Sequence, residues 1–202
     1  MPLIIEGSDN LGKSTAAKRI VELAKDVIPA YYTHMSRQGE AFDYHHHYKL
    51  MATPFAVQDR FHIGAYAWHD PWPIKSKDLG SIQRYLEFQG SFTVVFATEL
   101  HGTYEERLIN AQRDEMFNVS QIMTGNHRFL ECHYAGYNVD VFWDTLRFGF
   151  PDDKVLMEWI LQWISRLDKK GWLTHGPNSK SVASILMQLR EDGTGRQDTE
   201  VS

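Results

Sequence analysis

The chain has 202 residues, 43% hydrophobic and 23% charged, with a formal net charge of −5 and one cysteine. That length carries one domain with a full core. The acidic balance speaks against a broad basic face for duplex nucleic acid, and a lone Cys132 excludes an internal disulfide framework or a zinc knuckle. No run approaches the roughly 18 unbroken apolar residues of a membrane span. The start of the chain lacks the basic residues and long apolar centre of a signal peptide, so a reducing cytoplasm is the expected setting.

Leu3–Glu6 is too continuously apolar to alternate and reads as a buried parallel strand. Lys13 to about Val27 reads as a helix, with Ala16, Ala17, Ile20, Leu23, Ala24 and Val27 on one face, ended by Pro29. Ala30–His34 is the second strand and Phe55–Gln58 the third, leading into Asp59-Arg60. A short helix follows over Ile63–Trp68. Asp78 is the expected N-cap of a helix through Leu79, Ile82, Leu86 and Phe88, closed by Gly90. Phe92–Ala97 is the fourth strand. His101 to Glu115 is charged with few apolar positions. Phe117 to Tyr134 reads as a helix despite Gly125, and Val139–Trp143 as the fifth strand. Val155 to Leu167 is a strongly amphipathic helix; its Trp159/Trp163 stripe reads as core or subunit interface. A last helix is expected over Ser181–Leu189, before a polar tail.

Strands alternating with helices predict an α/β fold, a parallel sheet of about five strands with helices on both faces. In such sheets the site lies beyond the carboxyl ends of the strands. There the sequence places G-x-x-x-x-G-K-S, from Gly7 to Ser14, between a strand and a helix. Glycines let backbone N–H groups wrap an anion, Lys13 reaches terminal phosphates, and Ser14 offers a hydroxyl to Mg²⁺. Asp59 at a strand end suits a metal or an attacking group, and Arg60 can fork onto phosphate oxygens. Taken alone, that pair is equally an ordinary surface ion pair. Arg107, Arg113 and Arg128 follow the fourth strand, where a mobile arginine-bearing lid would cover a moving phosphoryl group. Glu105, Glu106, Asp114 and Glu115 alongside also fit a solvated, ion-paired helix. His45-His46-His47 point about 100° apart on a helix, so they do not converge on one ion. Cys132 reads as a small buried side chain.

The combination E-G-x-D-x-x-G-K-S-T, Asp59-Arg60-Phe61-His62 and a late R…R-D-E segment resembles the thymidylate kinase family. It is similar above all to the short thymidylate-kinase-like nucleotide kinases encoded by bacteriophages, over roughly residues 3 to 135. The resemblance implies a three-layer P-loop kinase fold with a lid over about 101–128. The kinase domain would span 1–175, with an extension over 176–202. Gly7, Asn10, Gly12, Lys13, Ser14 and Thr15 would bind ATP phosphates, with Mg²⁺ on Ser14 and Asp59. Asp9 matches the acid that contacts the acceptor sugar's 3′-hydroxyl. Asn10 stands where one subgroup carries an arginine, which shifts the missing catalytic charge to Arg107 or Arg113. Arg60 would clamp the acceptor monophosphate, and Arg37 would reach a phosphate. Phe42, Tyr44, Tyr66 and Trp68 are candidates to stack on the base, although each such side chain is also a common core residue.

The departures bear on the base. Thr33-His34-Met35-Ser36-Arg37 replaces T-R-E-P-G-G, Gly64 stands where a serine is usual, and Trp68-His69 replaces Tyr-Gln. The expected activity is ATP-dependent phosphorylation of a deoxynucleoside monophosphate, dTMP or a modified pyrimidine nucleotide, to the diphosphate. Two alternatives remain open: a kinase of a deoxynucleoside or of a hydroxymethyl base in DNA, and a non-catalytic nucleotide-binding regulator. The resemblance also implies a homodimer, in the host cytoplasm if the chain is phage-encoded.

Overall fold

The computed structural model describes residues 1–35, 53–68, 76–111, 118–135, 137 and 139–173. Five strands form one parallel sheet: β1 Leu3–Gly7, β2 Tyr31–His34, β3 Ala56–Asp59, β4 Phe92–Phe96 and β5 Val141–Trp143. Their spatial order is β2-β3-β1-β4-β5. The sheet carries helices on both sides. β1 and β4 are buried at every position. That is why they read as unbroken apolar runs, whereas edge strand β2 is half exposed.

Seven helices lie among the described residues: α1 Lys13–Ala24, α2 His62–Ala67, α3 Ser76–Gln89, α4 His101–Ala111, α5 Val119–Tyr134, α6 Thr145–Phe148 and α7 Asp153–Lys169. α1 packs on α7, while α2 packs on β1, α3 and α5. α7 shows how the sequence sets a boundary. The Asp152 side chain accepts from Val155 N at 2.9 Å, Asp153 lies in the first turn, and Arg166 and Lys169 lie in the last. These charges oppose the helix dipole at both ends. Trp159 and Trp163 are 3% and 0% exposed, so the stripe is core. Trp163 Nε1 donates to Met1 O at 2.7 Å and ties the chain start beneath the sheet.

Several boundaries differ from expectation. α1 ends at Ala24 and runs into turns instead of continuing to Val27. α3 begins at Ser76, so Asp78 falls inside the helix rather than capping it. Asn118 caps α5 by accepting from Gln121 N at 3.0 Å. Gly125 lies within the unbroken α5 for a packing reason. A Cβ there would lie 2.6 Å from Trp68 Cη2, so the bare position admits the indole. The one-turn α6 has no apolar periodicity and was not expected; Asp144 caps it by accepting from Leu146 N and Arg147 N. Cys132 is buried, and burial pushes its thiol up to about 12. The helix expected over Ser181–Leu189 and the tail lie outside the described residues.

Candidate functional site

β1 ends at Gly7, where the chain needs backbone that side chains rarely allow. Gly7, Asn10 and Gly12 have φ of 133°, 60° and 89°. A Cβ on Gly7 would lie 2.1 Å from Phe96 O of β4, and Ser8 N donates to that same carbonyl at 2.9 Å. The loop is thus pressed against β4 and then turned into α1. The N-cap of α1 is Gly12, with no side-chain cap hydrogen bond, whereas α5, α6 and α7 are capped by Asn118, Asp144 and Asp152. An uncapped first turn behind a loop of this shape presents N–H groups to an anion.

Lys13 is buried, and its Nζ donates to Ser8 O at 3.2 Å and Asp9 Oδ1 at 2.7 Å. Arg60 Nη2 donates to that same oxygen at 3.0 Å. One carboxylate therefore joins the two cations. Burial alone would raise the Asp9 carboxyl; the adjoining Lys13 and Arg60 charges outweigh it and hold the group below its ordinary value. Arg60 has φ 64°, a left-handed conformation that costs a non-glycine residue on the order of 1 kcal/mol. Its backbone is pinned on both sides: Arg60 N donates to Ile5 O at 2.9 Å, and Gln58 Nε2 donates to Arg60 O at 3.0 Å. Ser14 is partly exposed and Thr15 exposed at the start of α1.

Asp59, at the end of β3, is fully buried. Its Oδ2 accepts from Tyr32 OH at 2.8 Å and faces His34 Nδ1 at 3.3 Å. Burial, then Asp59, pushes the Tyr32 phenol up to about 12. Asp59 Oδ1 is buried without a hydrogen-bond partner, a costly state for a carboxylate oxygen. That orphaned oxygen suits a cation, and Asp59 with the Ser14 hydroxyl, on the first turn of α1, would be the groups to hold Mg²⁺. Among the described residues no group of three or more His, Cys, Asp or Glu side chains could hold a metal ion by itself.

The chain leaves Arg60 for α2. The Glu6 carboxylate, at the end of β1 and 0% exposed, accepts from Ile63 N at 2.9 Å and Gly64 N at 3.0 Å. Its Oε1 lies 3.9 Å from His62 Nδ1, and His62 Nε2 donates to Gln83 Oε1 at 2.5 Å. Burial pushes the Glu6 carboxyl up to about 7, against the pull of the Phe61, Gly64 and Ile63 amides, and pushes His62 down to about 4. α2 carries Tyr66 and ends at Trp68; both are partly buried. The Trp68 ring meets Phe129 edge-on, and its Nε1 is buried without a hydrogen-bond partner. Trp68, Ala67, Gln121, Thr124 and Arg128 help line a cavity of about 290 Å³. Arg128 Nη1 donates to Ala67 O at 3.0 Å, which joins α5 to α2.

Tyr104 is a site residue that the sequence reading missed. It is buried on α4, and its hydroxyl donates to Ser8 Oγ at 2.8 Å and contacts Asp9 O. The only signal was a Tyr104/Leu108 pair at i, i+4 within a charged segment. That segment, through Ala111, is a helix with those two residues buried, and Arg107 is exposed on it. Further supports come from after β4 and β5. Asn126 Oδ1 accepts from Thr98 N at 3.1 Å, Thr98 Oγ1 donates to Asp144 at 2.9 Å, and Thr145 Oγ1 donates to Leu11 O at 2.7 Å. The Phe150 ring lies 3.0 Å from where a Cβ of Gly12 would be.

Of the expected site residues, Gly7, Asp9, Asn10, Gly12, Lys13, Ser14 and Thr15 share one loop and helix start, and Asp59 and Arg60 stand beside it. Tyr66 and Trp68 lie one helix further on. Arg37, Phe42, Tyr44, His45-His46-His47 and Arg113 lie outside the described residues.

Among solved structures, the chain is similar to the YorR protein of Bacillus subtilis in complex with phosphorylated GDP, with a TM-score of 0.63 over 87% of this chain and 100% of that one. The two share a fold. At 17% identity the likeness extends no further than that. No protein-family model and no curated protein matches the sequence. No described helix is long and apolar enough to cross a membrane.

Proposed function

We propose that the chain is an ATP-dependent kinase that phosphorylates a deoxynucleoside monophosphate, dTMP or a modified pyrimidine nucleotide, to the diphosphate. One observation carries the reading: Lys13 and Arg60 meet on Asp9 at the uncapped start of α1. A donor phosphate on the loop and an acceptor phosphate on Arg60 would then be adjacent, with Asp9 between them for the acceptor sugar. The binding of phosphorylated GDP by YorR supports a nucleotide as the ligand class. Gly7, Asn10, Gly12, Ser14 and Thr15 would hold the donor phosphates. Ser14 and Asp59 would hold Mg²⁺, which supplies charge neutralisation when bound. Lys13 carries positive charge to the transferred group, and Arg107 and Arg113 bring more from the lid over 101–128. Arg60 fixes the acceptor in line, with help from Arg37, and Phe42, Tyr66 and Trp68 contact the base. Catalysis on this reading is positioning and charge neutralisation, with no covalent enzyme intermediate.

A second reading, transfer to a deoxynucleoside hydroxyl, draws on the His34–Asp59 pair. A carboxylate facing Nδ1 leaves Nε2 of an exposed imidazole available to accept a hydroxyl proton. Labelled ATP offered with monophosphates, nucleosides or single-stranded DNA separates these readings. Transfer to a monophosphate that disappears in Lys13→Ala supports the first. Transfer to nucleosides alone supports the second. No transfer to any acceptor overturns both in favour of a regulator.

A further inference from the structure

We propose that Glu6 is a positioning residue for the acceptor side of the site: its buried carboxylate tethers the N-terminus of α2 and so fixes Arg60 relative to the phosphate loop. The inference rests on the kinase reading for what Arg60 binds, but the tether itself is a matter of geometry. α2 has six residues, far below the roughly 12 at which a helix begins to hold itself together in water. Something outside it must fix its start. The Glu6 oxygens accept from the backbone N–H groups of Ile63 and Gly64, with the Phe61 amide adding to the pull. No side chain of α2 competes for this role, because Phe61 at the N-cap makes no side-chain cap hydrogen bond.

Position 64 follows from the same contact. A Cβ on Gly64 would lie 2.6 Å from Glu6 Oε2, so the bare residue is what lets the carboxylate reach both amides. A serine at this position and a buried Glu6 in this pose exclude one another. Glu6 is also the residue immediately before Gly7, where the phosphate loop leaves the strand. A single side chain thus references the acceptor helix to the strand that carries the donor loop. The Arg60 backbone, pinned at its N–H by Ile5 O and at its carbonyl by Gln58, runs through Phe61 directly into the start of α2. Loss of the tether would let the guanidinium drift from its 3.0 Å contact with Asp9.

The test is steady-state kinetics of Glu6→Gln and Gly64→Ala, titrating ATP and the acceptor monophosphate separately. The expected result is a rise of roughly tenfold or more in acceptor KM, with ATP KM within about twofold, since misplacement by about 1 Å costs up to 100-fold at a reacting centre. Unchanged acceptor KM in both variants overturns the inference, as does an equal rise in both KM values. Amide hydrogen exchange gives a readout independent of turnover. Ile63 and Gly64 should exchange faster in Glu6→Gln, while the amides of β1 and β4 stay protected. If Glu6→Gln does not fold, Gly64→Ala and Glu6→Asp carry the same comparison. Failure of the wild-type protein to phosphorylate any monophosphate overturns the kinase reading, and the exchange experiment then decides the tether by itself.

Discussion

Replacing Glu6 by glutamine should change the pH dependence of stability more than stability at any one pH. Burial raises the Glu6 carboxyl from 4.5 to about 7 and lowers His62 from 6.5 to about 4. Between pH 4.5 and 7 the folded chain holds a proton on Glu6 that the unfolded chain has released. Stability from this group is therefore fully present below pH 4.5 and lost as pH rises through 7. His62 acts in the opposite sense. The unfolded imidazole takes up a proton that the folded one refuses, so stability is lost as pH falls from 6.5 towards 4. Each full traverse is on the order of 3 kcal/mol, at about 1.4 kcal/mol per unit. In the wild-type protein the two nearly cancel between pH 4.5 and 6.5. In Glu6→Gln the His62 slope stands uncovered. Relative to wild type, the variant should lose on the order of 3 kcal/mol between pH 7.5 and 4.5, or roughly 5–10 °C in Tm for a chain of this size. Urea unfolding of both proteins across that range measures the difference. A difference that stays constant with pH would refute the reasoning.

Tyr104→Phe removes a hydroxyl from Ser8 Oγ and Asp9 O inside the core. It should cost about 1–3 kcal/mol by denaturant unfolding and raise the ATP KM, because the phosphate loop loses its brace. Gly125→Ala improves helix propensity by about 1 kcal/mol, yet its Cβ would lie within 3 Å of three Trp68 ring atoms. The rigid indole cannot yield cheaply, so thermal unfolding should show net destabilisation of about 1 kcal/mol. His34→Asn should leave transfer to a monophosphate within about twofold and abolish any transfer to a nucleoside hydroxyl, since only the second needs a base; a labelled-ATP assay with both acceptors reads the difference.

The parts of the fold most legible in the sequence were those whose physics is local. β1, the glycine-bearing loop and α1 announce themselves within about twenty residues, because left-handed backbone at Gly7 and Gly12 demands specific residue types. The doubly buried β4 reads to within one residue from its β-branched and aromatic run, whereas β3, expected over Phe55–Gln58, lies one residue later over Ala56–Asp59 and ends in two polar residues. The convergence of Lys13, Asp9 and Arg60 followed from the rule that parallel strands deliver their ends to one edge. What stayed hidden depends on distant partners. Glu6 read as part of an apolar strand, since nothing nearby reveals that its carboxylate serves amides more than fifty residues away. Tyr104 was obscured because α4 buries only two side chains, too few for a periodic stripe. α6 is a single turn held by Asp144 rather than by an apolar face. Asp78 looked like a cap because acidic residues favour both caps and first turns, and only the backbone distinguishes them.

The aromatic residues after β5 turn the phosphate loop into something that can be watched. Phe150 covers Gly12, Gly149 passes its carbonyl to the Trp143 indole at 3.0 Å, and Trp143 lies edge-on to Trp159, with ring centroids 5.6 Å apart. Any ligand that shifts the loop backbone displaces Phe150, and that displacement reaches a fluorophore through one residue. On the kinase reading, Trp143 would be one of the chain's six tryptophans placed to report phosphate binding at the loop. A titration followed by tryptophan emission needs no label and no coupled enzyme, and it works whichever acceptor the site takes.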